Sequence, residues 1–229
     1  GYTRSGILSR NAEGVLTTLF EFGGNDNGSL PYASLVQGND GDFYGTTDLG
    51  GIGYGTAFKI TPGGELTTLV QFTGHEGPSS AALLLGDDGN FYGTTPFGGA
   101  NNQGTIFRMT AEGVVTTLVE FRGTGATDVG AFPGGALVLS SGGDFYGTTS
   151  RGGFGGNDVG TVFKVTPEGI LTTMVDFAAR GGGGVGGSPA AALVLGNDGN
   201  FYGTTEFDGA TDSGTVFKIT PAGVATRLV

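Results

Sequence analysis

Apolar and polar positions follow one pattern that returns four times along the chain. A small apolar run (Ala33 to Gly38, Ala81 to Gly86, Gly135 to Ser140, Ala191 to Gly196) is followed by Phe-Tyr-Gly-Thr-Thr at Phe43, Phe91, Phe145 and Phe201. Next comes Gly-Thr-x-Phe-(Lys/Arg) at Gly55, Gly104, Gly160 and Gly214, and then Gly-x-x-Thr-Thr-(Leu/Met)-Val at Gly64, Gly113 and Gly169, with a weaker copy at Gly223. Runs of five to eight residues rich in Val, Ile, Leu, Thr, Phe and Tyr, separated by Gly, Asp, Asn and Pro, predict strands, here named A to D in each unit. Asp40-Gly41, Asp88-Gly89 and Asp198-Gly199, with Gly142-Gly143 in the third unit, supply the positive φ angles of a tight A–B hairpin turn. Thr-Pro-Gly-Gly at Thr61 and its relatives at Thr166 and Thr220 predict an equally tight C–D turn. The D–A and B–C connections are longer and Gly-rich, and in an up-and-down sheet they gather at the opposite end.

Four antiparallel strands per repeat, with start-to-start spacings of 48, 54 and 56 residues, are the signature of a β-propeller blade. The expected fold is all-β: a β-propeller of four-stranded antiparallel blades, four of them complete (23–72, 73–121, 122–177 and 178–229), preceded by an N-terminal half blade (1–22) that holds only strands C and D. Strand A is expected innermost. Twelve of the 17 Phe fall at three repeat positions, Phe43/91/145/201, Phe58/107/163/217 and Phe22/72/121/177, which predicts a packing layer between blades. A strand-B Gly follows each Tyr (Gly45, Gly93, Gly147, Gly203), the mark of a close approach by another element. A β-solenoid is the alternative, but its rungs are normally shorter and lack two hairpins per repeat.

Composition adds constraints. Fifty Gly and eight Pro in 229 residues would suit a low-complexity chain, but 17 Phe and seven Tyr demand burial. The absence of Cys removes disulfides, thiolate nucleophiles and Cys-type zinc or iron sites. A net charge of −11 opposes binding to nucleic acid and to anionic membranes, and no apolar run is long enough for a transmembrane helix. No signal peptide precedes Gly1, so a mature, trimmed or fragmentary chain is expected.

The stretch Pro31-Tyr32-Ala33-Ser34-Leu35-Val36-Gln37-Gly38-Asn39-Asp40-Gly41-Asp42-Phe43-Tyr44-Gly45-Thr46-Thr47, with the Gly-Gly, Gly-Thr-x-Phe-Lys-Ile-Thr-Pro and Leu-Thr-Thr-Leu segments that follow, resembles the GloVer tandem repeat of bacterial surface proteins. The likeness covers essentially the whole chain. It implies export to the extracellular space or cell surface, often with a C-terminal anchoring segment, and no established activity. The chain begins mid-repeat and shows no anchor, so anchoring is not carried over.

Candidate chemistry is sparse. His75 is the only His: it cannot complete the usual zinc sites, and a Ser-His-Asp triad could use only this one base. The A strands carry no acid, so no carboxylate pair of the glycosidase kind is expected near the axis; Asp26, Glu76 and Asp128 occupy unlike positions in D–A loops. The Asp40-Gly41-Asp42 and Asp198-Gly199-Asn200 turns echo a calcium loop, although a hairpin turn explains the same residues. Lys59, Arg108, Lys164 and Lys218 recur on strand C, with Arg4 and Arg10 in the N-terminal segment, and suggest stems packed along the sheet with heads reaching carboxylates or water. No catalytic residue, metal or cofactor is expected.

Binding is expected on the long-loop face, at Phe97, Asn101, Asn102, Phe154, Asn157, Asp158, Phe207 and Asp212, where a glycan could stack on the rings. The half blade offers Ile7, Leu8, Leu16, Leu19 and Phe20 for self-association or for contact with other surface proteins, because an unpaired strand edge is a template for another chain. The leading reading is a secreted, non-enzymatic structural or interaction module, with filament assembly through the incomplete blade; the alternative is a lectin-like module.

Overall fold

A computed structural model describes residues 5–10, 12–73, 81–123, 130–153, 158–177, 186–189, 191–207 and 213–229. Arg4, His75, Glu76, Asp128, Phe154, Asn157 and Asp212 lie outside them. The described residues are all-β apart from one turn of 3-10 helix at Asn25–Asn27. They begin with a two-stranded sheet, β1 (Ser5–Arg10) and β2 (Leu16–Phe22). Sheet 1 follows: β3 (Val36–Gln37), β4 (Phe43–Thr47), β5 (Thr56–Ile60) and β6 (Leu66–Gln71). Sheet 2 holds β7 (Leu84–Leu85), β8 (Phe91–Thr95), β9 (Thr105–Met109) and β10 (Val115–Glu120). Sheet 3 holds β11 (Val138–Leu139), β12 (Phe145–Thr149), β13 (Thr161–Val165) and β14 (Leu171–Asp176). Sheet 4 holds β15 (Val194–Leu195), β16 (Phe201–Thr205), β17 (Thr215–Ile219) and β18 (Ala225–Arg227). Each four-stranded sheet is antiparallel, with strands in chain order.

The expected A runs of six residues form ladders of only two, because the glycines that close each run (Gly38, Gly86, Gly196) already belong to the A–B turn, where Gly41 N–H returns to the Gly38 carbonyl at 3.1 Å. The A strands β3 and β7 touch one another across neighbouring sheets. In sheets 2 and 3 strands B and C are buried on both faces, with β8 and β12 buried at every position, whereas β16 of sheet 4 is buried only at its ends. That explains why their sequences lack polar alternation: each face meets a neighbouring sheet rather than water. Strand D is half-buried to exposed over most of its length.

Three contacts recur where sheets 1 to 4 meet one another, and the second of them also joins the two-stranded sheet to sheet 1. The strand-B Tyr lies on the strand-B Phe of the following sheet, with ring centroids 4.0 Å apart for Tyr44–Phe91, 4.1 Å for Tyr92–Phe145 and 4.0 Å for Tyr146–Phe201. The Phe that ends strand D meets the strand-C Phe of the following sheet edge-on, 5.2 to 5.5 Å away, in Phe22–Phe58, Phe72–Phe107, Phe121–Phe163 and Phe177–Phe217. The first strand-B Thr donates across the gap to a strand-A carbonyl: Thr46 to Ala81 (3.4 Å), Thr94 to Gly135 (3.1 Å) and Thr148 to Ala191 (3.1 Å). Aromatic pairs of this kind contribute about 0.5–1.5 kcal/mol beyond their buried area.

Within each sheet the strand-B Gly is where the strand-C ring crosses. A Cβ built on Gly93, Gly147 or Gly203 would lie 2.5 Å from Cζ of Phe107, Phe163 or Phe217. Beside it the second strand-B Thr forms a buried hydroxyl pair with the first Thr of strand C: Thr47–Thr56 at 2.9 Å, Thr95–Thr105 at 2.8 Å, Thr149–Thr161 at 2.9 Å and Thr205–Thr215 at 2.8 Å.

Candidate functional site

The buried Thr pairs organise the loop face. Each second strand-B Thr donates its hydroxyl to the carbonyl two residues on: Thr47 to Leu49, Thr95 to Phe97, Thr149 to Arg151 and Thr205 to Phe207. Leu49, Phe97, Arg151 and Phe207 are therefore one repeat position, held at the start of each B–C loop and aimed outward. D–A loops lie alongside through single bridges, Ser29 with Leu49, Ala131 with Arg151 and Gly187 with Phe207. In those loops Leu30, Phe132 and Ser188 adopt φ of 60°, 55° and 54° immediately before Pro31, Pro133 and Pro189. A bulky residue in that region is strained by about 1–3 kcal/mol. At Phe132 the backbone is pinned on both sides: its N–H donates to the Gln103 carbonyl (2.8 Å), and its own carbonyl accepts from the Ser150 N–H (3.2 Å).

Held this way, Phe132 faces Phe97 edge-on at 5.6 Å. The two rings line a cleft of about 530 Å³ with Pro96, Gly134, Ser150 and Arg151. A second opening of about 380 Å³ shares Phe132 and Arg151 and adds Gln103, Arg122, Gly123 and Asp158. A third, about 170 Å³, joins Arg151 and Asp158 to Ser188 and Phe207. Arg151 lines all three and sits 3.7 Å from the Asp158 carboxylate, with both side chains largely exposed. The result is an aromatic-walled surface with a guanidinium at its centre, and Asp158 is the one acid among these lining residues. It suits stacking against a flat or ring-shaped ligand and hydrogen bonding to its polar edge.

Of the expected binding residues, Phe97 and Phe207 are on this face and partly exposed, at 46% and 37%. Asn102 and Asp158 occupy another shared repeat position and brace their own loops: Gly98 N–H donates to Asn102 Oδ1 (2.9 Å) and Gly152 N–H to Asp158 Oδ1 (2.7 Å). Asn101 is exposed beside Asn102. Sequence reasoning missed Phe132, Arg151, Arg122 and Gln103. For Arg151 a signal existed: it stands where the other repeats carry Leu49, Phe97 and Phe207.

Elsewhere the recurring polar groups bond to one another. Asp40 accepts from the Asp42 N–H (3.2 Å) and the Tyr44 hydroxyl (2.8 Å), a pattern repeated at Asp88 and Asp198. Hydrogen bonds from Asn200 and Tyr202 lower the Asp198 carboxyl to about 2. Burial and the bond to Asp88 raise the Tyr92 phenol to about 12. Lys59 reaches Asp42 at 3.2 Å and Lys164 reaches Asp144 at 3.0 Å. Asp26 contributes its backbone carbonyl to the Thr68 hydroxyl at 3.1 Å. In the first sheet Ile7 is buried, and Leu19 and Phe20 pack beside it against sheet 1, while Leu8 and Leu16 are exposed.

The model of the Gloeobacter/Verrucomicrobia repeat matches residues 1–129 and again 124–229, which together span the chain. The chain belongs to this repeat family. No curated protein matches it by sequence. Solved structures share its fold. A candidate gluconolactonase is 14% identical, with a TM-score of 0.55 over 97% of this chain and 69% of that one. A candidate 6-phosphogluconolactonase from Bacteroides uniformis is 16% identical, with a TM-score of 0.57 over 98% of this chain and 63% of that one. The extracellular domain of a candidate hybrid two-component system from B. thetaiotaomicron is 12% identical, with a TM-score of 0.59 over 92% of this chain and 24% of that protein. The repeat chain thus spans well under the full length of these proteins. The likeness shows a β-propeller-like architecture of repeated four-stranded antiparallel sheets, and at such identities it carries the fold alone.

Proposed function

We propose that this repeat chain is a non-enzymatic β-propeller module of an exported, surface-exposed protein, with four complete blades and an N-terminal half blade, and that it works by binding other protein chains. The observation that carries the reading is exposed apolar surface on the two-stranded sheet, at Leu8 and Leu16, and on sheet 4. β1 has a partner on one side only among the described residues, and sheet 4 presents Val194, Leu195, Leu228 and Val229 to solvent. Exposed strand edges and apolar faces of this kind are interaction surfaces. Sedimentation of the intact chain and of residues 23–229 tests it: the intact chain self-associates as its concentration rises and the shortened chain does so less. An intact chain that stays monomeric at high concentration refutes the assembly reading. Turnover of a sugar lactone by the purified chain would refute the non-enzymatic one.

A second reading, carbohydrate binding on the loop face, is favoured by the Phe97–Phe132–Arg151 cleft. Glycan-array binding lost in both Phe97→Ala and Arg151→Ala supports it, whereas binding that survives both substitutions sinks it.

A further inference from the structure

Two cations on the loop face break the repeat, and they meet at one opening. At the position of Arg151 the other repeats carry Leu49, Phe97 and Phe207, and at the position of Ser150 they carry Asp48, Pro96 and Glu206. Sheet 3 thus sets a cation where its counterparts are apolar, beside a neutral hydroxyl where two of them hold an acid. Arg122 follows the Phe that closes strand D, where the other repeats have Gly23, Thr73 and Ala178. The strand-C cations are different: they recur, and Lys59 and Lys164 are held by Asp42 and Asp144. Arg122 and Arg151 are both exposed, and among the described residues their one ion pair is the 3.7 Å contact of Arg151 with Asp158. They line the same opening, with Asp158 the one acid among its described lining residues.

Arg151 also stands between two aromatic walls. Phe97 and Phe132 share the cleft between sheets 2 and 3 with it, and Phe207 shares the next opening, between sheets 3 and 4. The backbone beneath it is fixed: its N–H donates to the Ala131 carbonyl (3.2 Å), and its carbonyl accepts from the Ala131 N–H (2.8 Å) and the Thr149 hydroxyl (2.9 Å). Phe132 likewise has both backbone groups bonded. At these residues the face offers ring surfaces and guanidinium donors but no free backbone ladder for an extended peptide. A pyranose ring presents C–H faces that stack on aromatic walls, and a carboxylate on its edge is the planar acceptor that a guanidinium fork binds bidentately. The net charge of −11 opposes a polyanion at long range. At physiological salt, exposed charges are screened beyond about 8 Å, so the two arginines govern the local field.

We infer that this part of the loop face binds an acidic oligosaccharide, a chain that contains hexuronate units. One sugar ring occupies the Phe97–Phe132 cleft, the next lies toward Phe207, and a carboxylate sits on Arg151 with Arg122 in support. The inference rests on the carbohydrate-binding reading and names its ligand class.

The test is calorimetric titration of the intact chain with tetragalacturonate, its fully methyl-esterified form, neutral galactotetraose and hexaglutamate. The acid form should bind saturably and about tenfold or more tighter than the ester, and added salt should shrink that preference. Arg151→Gln should leave acid and ester equal, and Arg122→Gln should reduce the preference severalfold. Both residues are exposed, so both variants should keep the wild-type melting temperature. Phe97→Ala should weaken acid and ester alike and preserve their ratio. Equal affinity for acid and ester, a preference that survives Arg151→Gln, or hexaglutamate bound as tightly as the uronate overturns the proposal. Neutral sugars bound through Phe97 as tightly as the acid would remove this ligand class and leave the carbohydrate reading standing. No saturation by any of the sugars up to about 5 mM, with no binding on a glycan array, overturns both.

Discussion

Gly147→Ala is the sharpest test of how the sheets are filled. Gly147 does not have positive φ, so alanine is acceptable to the backbone and, by restricting the unfolded chain, would stabilise by about 0.5–1 kcal/mol if space allowed. Space does not allow it. The new methyl would sit 2.5 Å from Phe163 Cζ and 3.0 Å from Leu137 Cδ2. Neither neighbour can yield easily: Phe163 is fully buried and its ring is held 5.4 Å from that of Phe121, while Leu137 is 3% exposed within the same cluster. Overpacking of this kind costs about 1–3 kcal/mol, so the net effect is a destabilisation of about 1–2 kcal/mol. For a chain of this size that lowers the melting temperature by about 2–8 °C. Thermal unfolding followed by circular dichroism measures it. Gly142→Ala, where the nearest atom to the added methyl is 3.8 Å away, is the matched control and should be neutral or stabilising by up to about 1 kcal/mol. Phe163→Leu, which removes the ring tip, should recover about 1 kcal/mol of the loss in a double-mutant cycle. An unchanged or raised melting temperature for Gly147→Ala, or strict additivity with Phe163→Leu, would refute the crossing-ring account.

Thr149→Val should cost about 1–3 kcal/mol in urea unfolding, because it removes a hydroxyl that pairs with Thr161 Oγ1 (2.9 Å), accepts from the Thr161 N–H (3.0 Å) and holds the Arg151 carbonyl (2.9 Å). The same variant should blunt any ligand binding that depends on Arg151. In acid, Asp198, whose carboxyl is lowered from 3.8 to about 2, adds stability that is complete above the unfolded value and lost as pH falls toward 2. Asp198→Asn should therefore flatten the dependence of the urea midpoint between about pH 4 and pH 2. In alkali the sign reverses: Tyr92, raised from 10.0 to about 12, contributes stability below pH 10 that disappears as pH climbs through 12, and Tyr92→Phe should remove that part of the decline.

The four strands per unit and both hairpin turns were legible in the sequence because each depends on neighbours a few residues apart, and the Phe layer was legible from its period. Asp-Gly and Thr-Pro-x-Gly close tight turns wherever they occur, and Phe-Tyr-Gly-Thr-Thr, repeated four times, marks the same strand each time. The Gly after each Tyr even announced that something crosses there; that the crossing group is the strand-C Phe required coordinates. The loop face was legible only as a region. Phe132 and Arg151 belong to different loops of one repeat, and Phe97 to the repeat before it, so their convergence depends on how sheet 2 stacks on sheet 3 through Tyr92–Phe145. Asn102 and Asp158 look from sequence like free ligands for a glycan, but the loop curls back until a glycine N–H reaches each side chain. Tyr202 and Phe43, half-buried where their counterparts Tyr92 and Phe91 are fully buried, show the same division. Their residue type follows from the repeat, but whether a ring finds its partner is decided by which sheet stands next to it, since side-chain stacking across a gap is a property of packed layers and not of the local chain.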